Sequence, residues 1–222
     1  MKYVEYSPKR VRCDQSHQGK VRVEISAMEQ QNSHREKFRN LLASLYHLSG
    51  QDLQETMQRF VPERLPSRTH FLEKGNTADR IGYLVSGLLR SYFYDDQAND
   101  ITTHFFKPGT VVISMESFNN QVPSGEYIVT MEASELLVIT HDRMQELYRL
   151  VPVWRRIAKD VDEMKFNDLM NRSIQLQTLS ASERYQLFCE NNSDILQKVA
   201  LKHIASFLGI DIATLSRIRK KY

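Results

Sequence analysis

"LKHIASFLGIDIATLSRIRKKY", residues 201–222, is the stretch on which the rest of the chain is read. It divides into two short helical runs around Gly209. Leu201 to Leu208 forms the first, and glycine suits the position just after a helix because it adopts the left-handed conformation without a Cβ penalty. Asp211 is a suitable N-cap for the second run, Ile212 to Lys221. Two helices joined by a short turn containing Gly make a helix-turn-helix unit. Ala205 lets the helices approach closely, and Ile204, Leu208, Ile210, Leu215 and Ile218 provide an apolar seam. At roughly 100° per residue, Ile212, Leu215 and Ile218 share one side of the second helix, with Ala213, Ser216, Arg217 and Lys220 opposite.

That outer face has the chemistry of a DNA reader. Arg217 can donate to guanine O6 and N7 together, and Ser216 can bond a base or a phosphate. Thr214, Arg219, Lys220 and Lys221 are placed to neutralise phosphates along the groove, and Ala213 completes the contact face. From Ile195 to the end, six cations stand against one anion, a local charge of +5 that exceeds the +3 of the whole chain. Such an end suits a polyanion. A membrane-surface helix would need a wider apolar face.

Upstream, residues 1–32 form a polar extension, a candidate for disorder, with one short strand at Lys20 to Ile25. A helical pattern begins at Ser33, with Phe38, Leu41, Leu42, Leu45 and Leu48 on one face, and stops near Gly50. Asp52 to Phe60 forms a second helix. Between Thr69 and Thr140 come short β-rich runs: Arg80–Val85, Leu88–Tyr94, Ile101–Phe106, Val111–Ser114, Tyr127–Met131 and Leu136–Ile139. Turn chemistry separates them, which predicts an antiparallel roll.

Helix returns at His141 to Leu150. Pro152 then suits the first position of a new helix. From there to about Gln177 no Gly or Pro occurs, and Trp154, Ile157, Ala158, Val161 and Met164 recur at helical spacing. Such a helix measures about 39 Å. It has more apolar stripe than one small domain needs, so Trp154, Ile157, Val161 and Met164 are read as a dimer surface. Ser180-Ala-Ser-Glu183 opens a further helix as a capping box.

The bulk numbers fit this picture. The chain has 222 residues, 41% hydrophobic and 26% charged, which is ordinary for a globular protein with one or two domains. No run reaches membrane-span length, and Met1 to Gln30 lacks the apolar core of a signal peptide. A cytoplasmic protein with no membrane partner is expected. Cys13 and Cys189 are the two cysteines, without metal spacing, so no metal or cofactor is expected. His70, His104 and His141 have no nucleophile elbow or phosphate loop beside them, which speaks against an enzyme.

This order of parts resembles the Crp/Fnr family of bacterial transcription regulators. "IASFLGI" followed by "TLSRIRK" is similar to the family's DNA-binding signature, and "SASERYQLF" to the stretch entering that domain. The resemblance spans roughly Ser33 to Tyr222. It implies an α+β fold: an antiparallel β-roll of the cyclic-nucleotide-binding type with flanking helices, a long dimer helix and a small all-α helix-turn-helix domain. The boundaries are then 1–32 for the extension, 33–150 for the sensor, 151–178 for the dimer helix and 179–222 for the DNA-binding domain. Implied partners are a homodimer mate, a two-fold-symmetric double-stranded DNA site and, as a candidate, RNA polymerase.

The sequence departs from the family in three ways. Pro108 to Asp142 contains no Lys or Arg, where cyclic-nucleotide binders carry an arginine for the phosphate, so cAMP or cGMP in the usual mode is not expected. The matching region instead offers Met115, Glu116, Ser117, Glu126 and Tyr127 as a candidate pocket for an unknown small-molecule effector. The cysteine set of an iron–sulfur oxygen sensor is absent. Ile212-Ala213 also replaces the charged or polar pair that commonly opens the recognition helix. The competing reading is an effector-sensing or scaffold protein whose helix-turn-helix no longer binds DNA. Arg217 and Lys220 on the outer face argue against that decay.

Overall fold

The computed structural model describes residues 34–220. The polar extension, its strand at Lys20–Ile25, and Lys221 lie outside the described residues. Helix α1 runs over 34–46 and buries Phe38 and Leu42, one turn apart, while Leu45 is 61% exposed. The chain leaves the helix at His47, which takes a left-handed φ of 51°. Gly50, read from the sequence as a stop, therefore opens the next helix, α2 (Gly50–Arg59). Ser49 caps it: its hydroxyl accepts from the Asp52 amide and the Asp52 carboxylate accepts from the Ser49 amide.

Eight strands follow among the described residues: β1 (Val61–Leu65), β2 (His70–Leu72), β3 (Arg80–Ser86), β4 (Leu89–Tyr94), β5 (Asp100–Phe106), β6 (Val111–Val112), β7 (Tyr127–Thr130) and β8 (Ser134–Thr140). They pair antiparallel as two four-stranded sheets, β1-β8-β3-β6 and β2-β7-β4-β5. This is the antiparallel roll of the α+β class that the turn spacing predicts. The sequence reading misses β1 and β2 because Pro62 and Pro66 look like loop. β1 is an edge strand, where a residue without an N–H is tolerated. The run expected to extend to Ser114 ends at Val112, and a short helix, α3 (Met115–Asn120), begins instead.

Helices α4 (His141–Leu150), α5 (Val153–Thr178), α6 (Ala181–Asn191), α7 (Leu201–Leu208) and α8 (Ile212–Arg219) complete the chain. The main core lies between the sheets at Leu84, Leu89, Ile128 and Leu136, none more than 1% exposed. Phe38, Leu53, Met144 and Leu147 close one side of it. Trp154, at the start of α5, is inserted there too: its ring stands 5.4 Å from Phe60 and its indole N–H donates to Thr56 Oγ1 at 2.9 Å. A buried polar group is thus satisfied where α5 leaves the roll.

The second core is built by α6, α7 and α8 around Ile204, Leu208 and Leu215, yet it is not self-contained. Leu88 and Phe105 of the roll belong to it. The Phe105 ring lies 5.3 Å from Phe207 and 6.2 Å from Phe188. The C-terminal helices therefore sit against the outside of the β2-β7-β4-β5 sheet.

The turn between β3 and β4 is tightly packed. Gly87 has φ 100°, and a Cβ there would stand 2.3 Å from Ser134 Oγ, which itself accepts from the Leu88 amide. Gly87→Ala is expected to cost about 1–3 kcal/mol, from a strained dihedral and a displaced Ser134. Urea unfolding measures it, and an unchanged midpoint would contradict the close approach.

Candidate nucleic-acid interface and sensor cleft

The turn and N-cap that the sequence predicts for the terminal helices are formed. Gly209 takes φ 64° after α7, and Asp211 Oδ1 accepts from the Thr214 amide at 2.7 Å. Leu215 and Ile218 are buried against Ile204, Ala205 and Leu208, with Ile210 packed at the margin. Ile212 departs from the expected seam. It is 51% exposed at the first position of α8, whereas Leu215 and Ile218 of the later turns are buried. Arg184 fastens the unit to α5: its Nε donates to the Leu208 carbonyl at 2.9 Å and its Nη1 to the Leu179 carbonyl at 2.6 Å. Two helix C-termini, whose carbonyls lack intrahelical partners, are satisfied by one side chain.

On the outer face of α8, Ala213, Arg217 and Lys220 are exposed and Ser216 is partly exposed, while Arg219, also exposed, lies on the side of Leu215 and acts on Tyr185 of α6. Thr214 is engaged locally. Its hydroxyl donates to Asp211 Oδ2 at 2.7 Å and accepts from Arg217 Nη2 at 2.9 Å. The Thr214 amide and then its hydroxyl hold the Asp211 carboxyl below the usual range. They also aim Arg217 from a fixed base.

A polar seam joins α7 to β4 and β5. The Ser206 hydroxyl accepts from the Thr102 amide at 2.8 Å and donates to the Asp100 carbonyl at 3.1 Å. Buried Arg90 donates to Thr102 Oγ1 and to Asp100 Oδ2. His203 is 8% exposed, with Nδ1 3.5 Å from Asp100 Oδ1. Burial and then Arg90 push its pKa down to about 4, partly offset by Asp100.

Between the roll and α5 lies an open cleft of about 720 Å³. Met115, Glu116 and Glu126 of the predicted effector set line it. Ser117 does not: it is 1% exposed, accepting from the Ala78 amide and donating to the Val122 carbonyl. Tyr127 does not line it either, and its ring stacks on Tyr92 at 5.0 Å. The cleft's cations come from α5, from Lys165 and Arg172, which lie outside Pro108–Asp142. The available signal was helical phase, since Lys165 and Arg172 continue the face of Trp154 and Val161. Lys165 Nζ lies 3.1 Å from His104 Nε2, and burial lowers the Lys165 pKa to about 8. Arg172 donates to the carbonyls of Thr103, Thr102 and Phe207, and its guanidinium lies 4.4 Å from the Phe207 ring centroid.

The residues assigned from sequence to a dimer surface separate into different places. Trp154 and Ile157 are each 5% exposed in the chain's own core, Val161 lines a groove beneath α1, and Met164 is 59% exposed. The large exposed apolar residues of α5 lie further along: Phe166 61%, Leu169 58%, Met170 47% and Ile174 51%. A one-face reading merged an inward stripe in the first half of the helix with an outward one in the second.

With this geometry the chain can be placed among known proteins. Residues 62–150 match the cyclic nucleotide-binding domain family. CLP of Xanthomonas campestris, a c-di-GMP responsive global regulator, superposes with a TM-score of 0.64 at 20% identity, over 78% of this chain and 91% of that one. The chain has the Crp/Fnr fold. FixK2 of Bradyrhizobium japonicum gives 0.63 at 15% identity, over 73% of this chain and 83% of that one. A regulator from Eubacterium rectale assigned to the Crp/Fnr family gives 0.64 at 15%, over 79% and 83%. No curated protein matches in sequence. Within this Crp/Fnr frame, no helix among the described residues is long and apolar enough to cross a membrane, and none of their His, Cys, Asp and Glu residues gather as a metal site.

The seam generates a pH prediction. An unfolded histidine titrates near ~6.5, and His203 in the fold at about 4. Between these values the unfolded chain binds the extra proton, so stability is full above the upper value and is lost as pH falls toward the lower one. The melting temperature should hold above the upper value and decline below it, and His203→Gln should flatten that decline. Some slope should remain from His104, held at about 3 by burial, Lys165 and Arg172. Superimposable pH profiles for wild type and variant would remove His203 from the account.

Proposed function

We propose that the protein is a DNA-binding transcription regulator of the Crp/Fnr type, acting in the cytoplasm without catalysis. In this reading, 33–150 is the sensor, 151–178 the dimer helix and 179–222 the DNA-binding domain, with the recognition helix in a major groove. The observation that carries it is α8: Leu215 and Ile218 are buried while Arg217, Arg219 and Lys220 are exposed on a helix fixed by Asp211. A decayed motif has no need of that arrangement, which disfavours the scaffold reading. The homodimer is supported by the outward stripe Phe166, Leu169, Met170 and Ile174, since exposed contiguous apolar surface marks an interface. The spacing from Phe166 to Leu169, Ser173 and Leu176 is that of a coiled-coil seam.

Selection of genomic fragments by the full-length protein tests the first part. Wild type should select fragments with a two-fold-symmetric site, and Arg217→Ala should lose about 1–3 kcal/mol of specific binding. Lys220→Ala should weaken all fragments alike and reduce the salt slope by about one. A chain that selects nothing, with Arg217→Ala indistinguishable from wild type, favours the scaffold.

The dimer is tested separately by light scattering. Phe166→Glu with Met170→Glu should convert dimer to monomer while leaving the melting temperature of the roll in place. A double variant that stays dimeric puts the interface elsewhere.

A further inference from the structure

The first turn of α8 is apolar where it meets solvent. Ile212 is 51% exposed, and Ala213 beside it is exposed as well. Among the described residues of α6, α7 and α8, Ile212 is the one large apolar side chain left uncovered. At roughly 100° per residue it stands about 40° round the helix from Ser216, on the margin of the face that carries Arg217 and Lys220. Surface apolar residues scattered singly are common. This one is set apart by its place, beside the cations that would draw it to a base edge. The nearest carboxylate is already engaged. Asp211 Oδ1 accepts from the Thr214 amide and Oδ2 from the Thr214 hydroxyl, both at 2.7 Å, so the acid is folded back on the helix. Arg217 follows about one and a half turns later, its Nη2 donating to the Thr214 hydroxyl at 2.9 Å. The leading edge of the helix thus offers methyl groups and no side-chain donor or acceptor.

We propose that Ile212 and Ala213 read thymine, packing on C5-methyl groups in the major groove while Arg217 takes a guanine of the same half-site. This assignment rests on the DNA-binding reading and deepens it by naming a base. Each base pair shows a distinct edge in the major groove, and the thymine methyl is the feature that an aliphatic side chain complements. Cytosine presents an amino donor, which needs an acceptor, and adenine needs a donor and an acceptor together. Ile212 and Ala213 supply neither, and an amino group desolvated against them without a partner is costly. From Ile212 to Arg217 the helix rises about 7.5 Å. That is on the order of two base-pair steps, at roughly 3.4 Å each. The half-site therefore carries thymine opposite Ile212 and Ala213, and guanine about two base pairs further along.

The test uses the full-length protein and a duplex selected by it from a random pool. Each thymine of that duplex is replaced in turn by deoxyuridine, which removes the methyl and keeps the pairing. Wild type should lose about fourfold in affinity at each thymine facing Ile212 or Ala213, the transfer value of a single methyl group. Deoxyuridine elsewhere should change nothing. Ile212→Ser should bind thymine and uracil alike at one of these positions, and Ile212→Val should keep the difference. Arg217→Ala should relax the site at the guanine and stay sensitive to the methyl. The melting temperature of Ile212→Ser should match wild type, since the side chain is exposed. Wild-type protein indifferent to deoxyuridine at every position overturns the proposal without any variant. So does an Ile212→Ser variant that keeps the full loss at every position. Selected DNA with no methyl dependence sinks this inference and leaves the regulator; a chain that selects no DNA sinks the regulator reading and this one with it.

Discussion

The guanidinium of Arg172 lies where three parts of the chain converge. It projects from α5, donates to the Thr102 and Thr103 carbonyls of β5 and to the Phe207 carbonyl of α7, and rests against the Phe207 ring. No other side chain could fill this role without loss. Lysine brings a point charge with no planar fork, and a neutral side chain leaves carbonyls unsatisfied beneath the helix, each costing about 1–3 kcal/mol if left dry. The placement of the C-terminal helices on the sheet depends on that junction. So does the shape of the cleft, one wall of which is the same turn of α5.

A constraint on α5 explains the rest of the layout. Its first turns must close the roll's core, so Trp154 and Ile157 point inward. Its middle must face a polar cleft, so Lys165, Asp168 and Arg172 follow on that side. Its back carries Phe166, Leu169, Met170 and Ile174, which no other described residue buries. Three neighbours on one helix leave no single hydrophobic stripe. The same helix thus closes a core, lines the cleft and presents an uncovered apolar back.

Much of the fold was legible in the sequence because it is written locally. Capping at Ser180 and Asp211 and the glycines at 87, 109 and 209, all with positive φ, depend on neighbouring residues only. The α7–α8 seam could be read from spacing alone. What escaped was non-local. β1 carries Pro62 and is stabilised by pairing with β8, about seventy residues away. The two faces of α5 differ only by what the roll covers. Ile212 shares a helical side with Leu215 and Ile218, yet it is left exposed where they are buried. The cleft was half legible: Glu116 and Glu126 stood in the expected segment, whereas their counter-charges stood on another element and became neighbours only on folding.

The seam between Ser206 and Thr102 has one more consequence. β5 is the outer strand of its sheet, and an outer strand with free N–H and C=O groups is a template for pairing with another chain. The Ser206 hydroxyl occupies one such amide and one such carbonyl, and Phe207 lies beside Phe105. In covering that edge, α7 acts as a guard against strand-to-strand aggregation. Any state in which the C-terminal helices swing clear of the roll lays bare a β-rich, aromatic edge, Ile101 to Phe106, and must be short-lived or covered by something else.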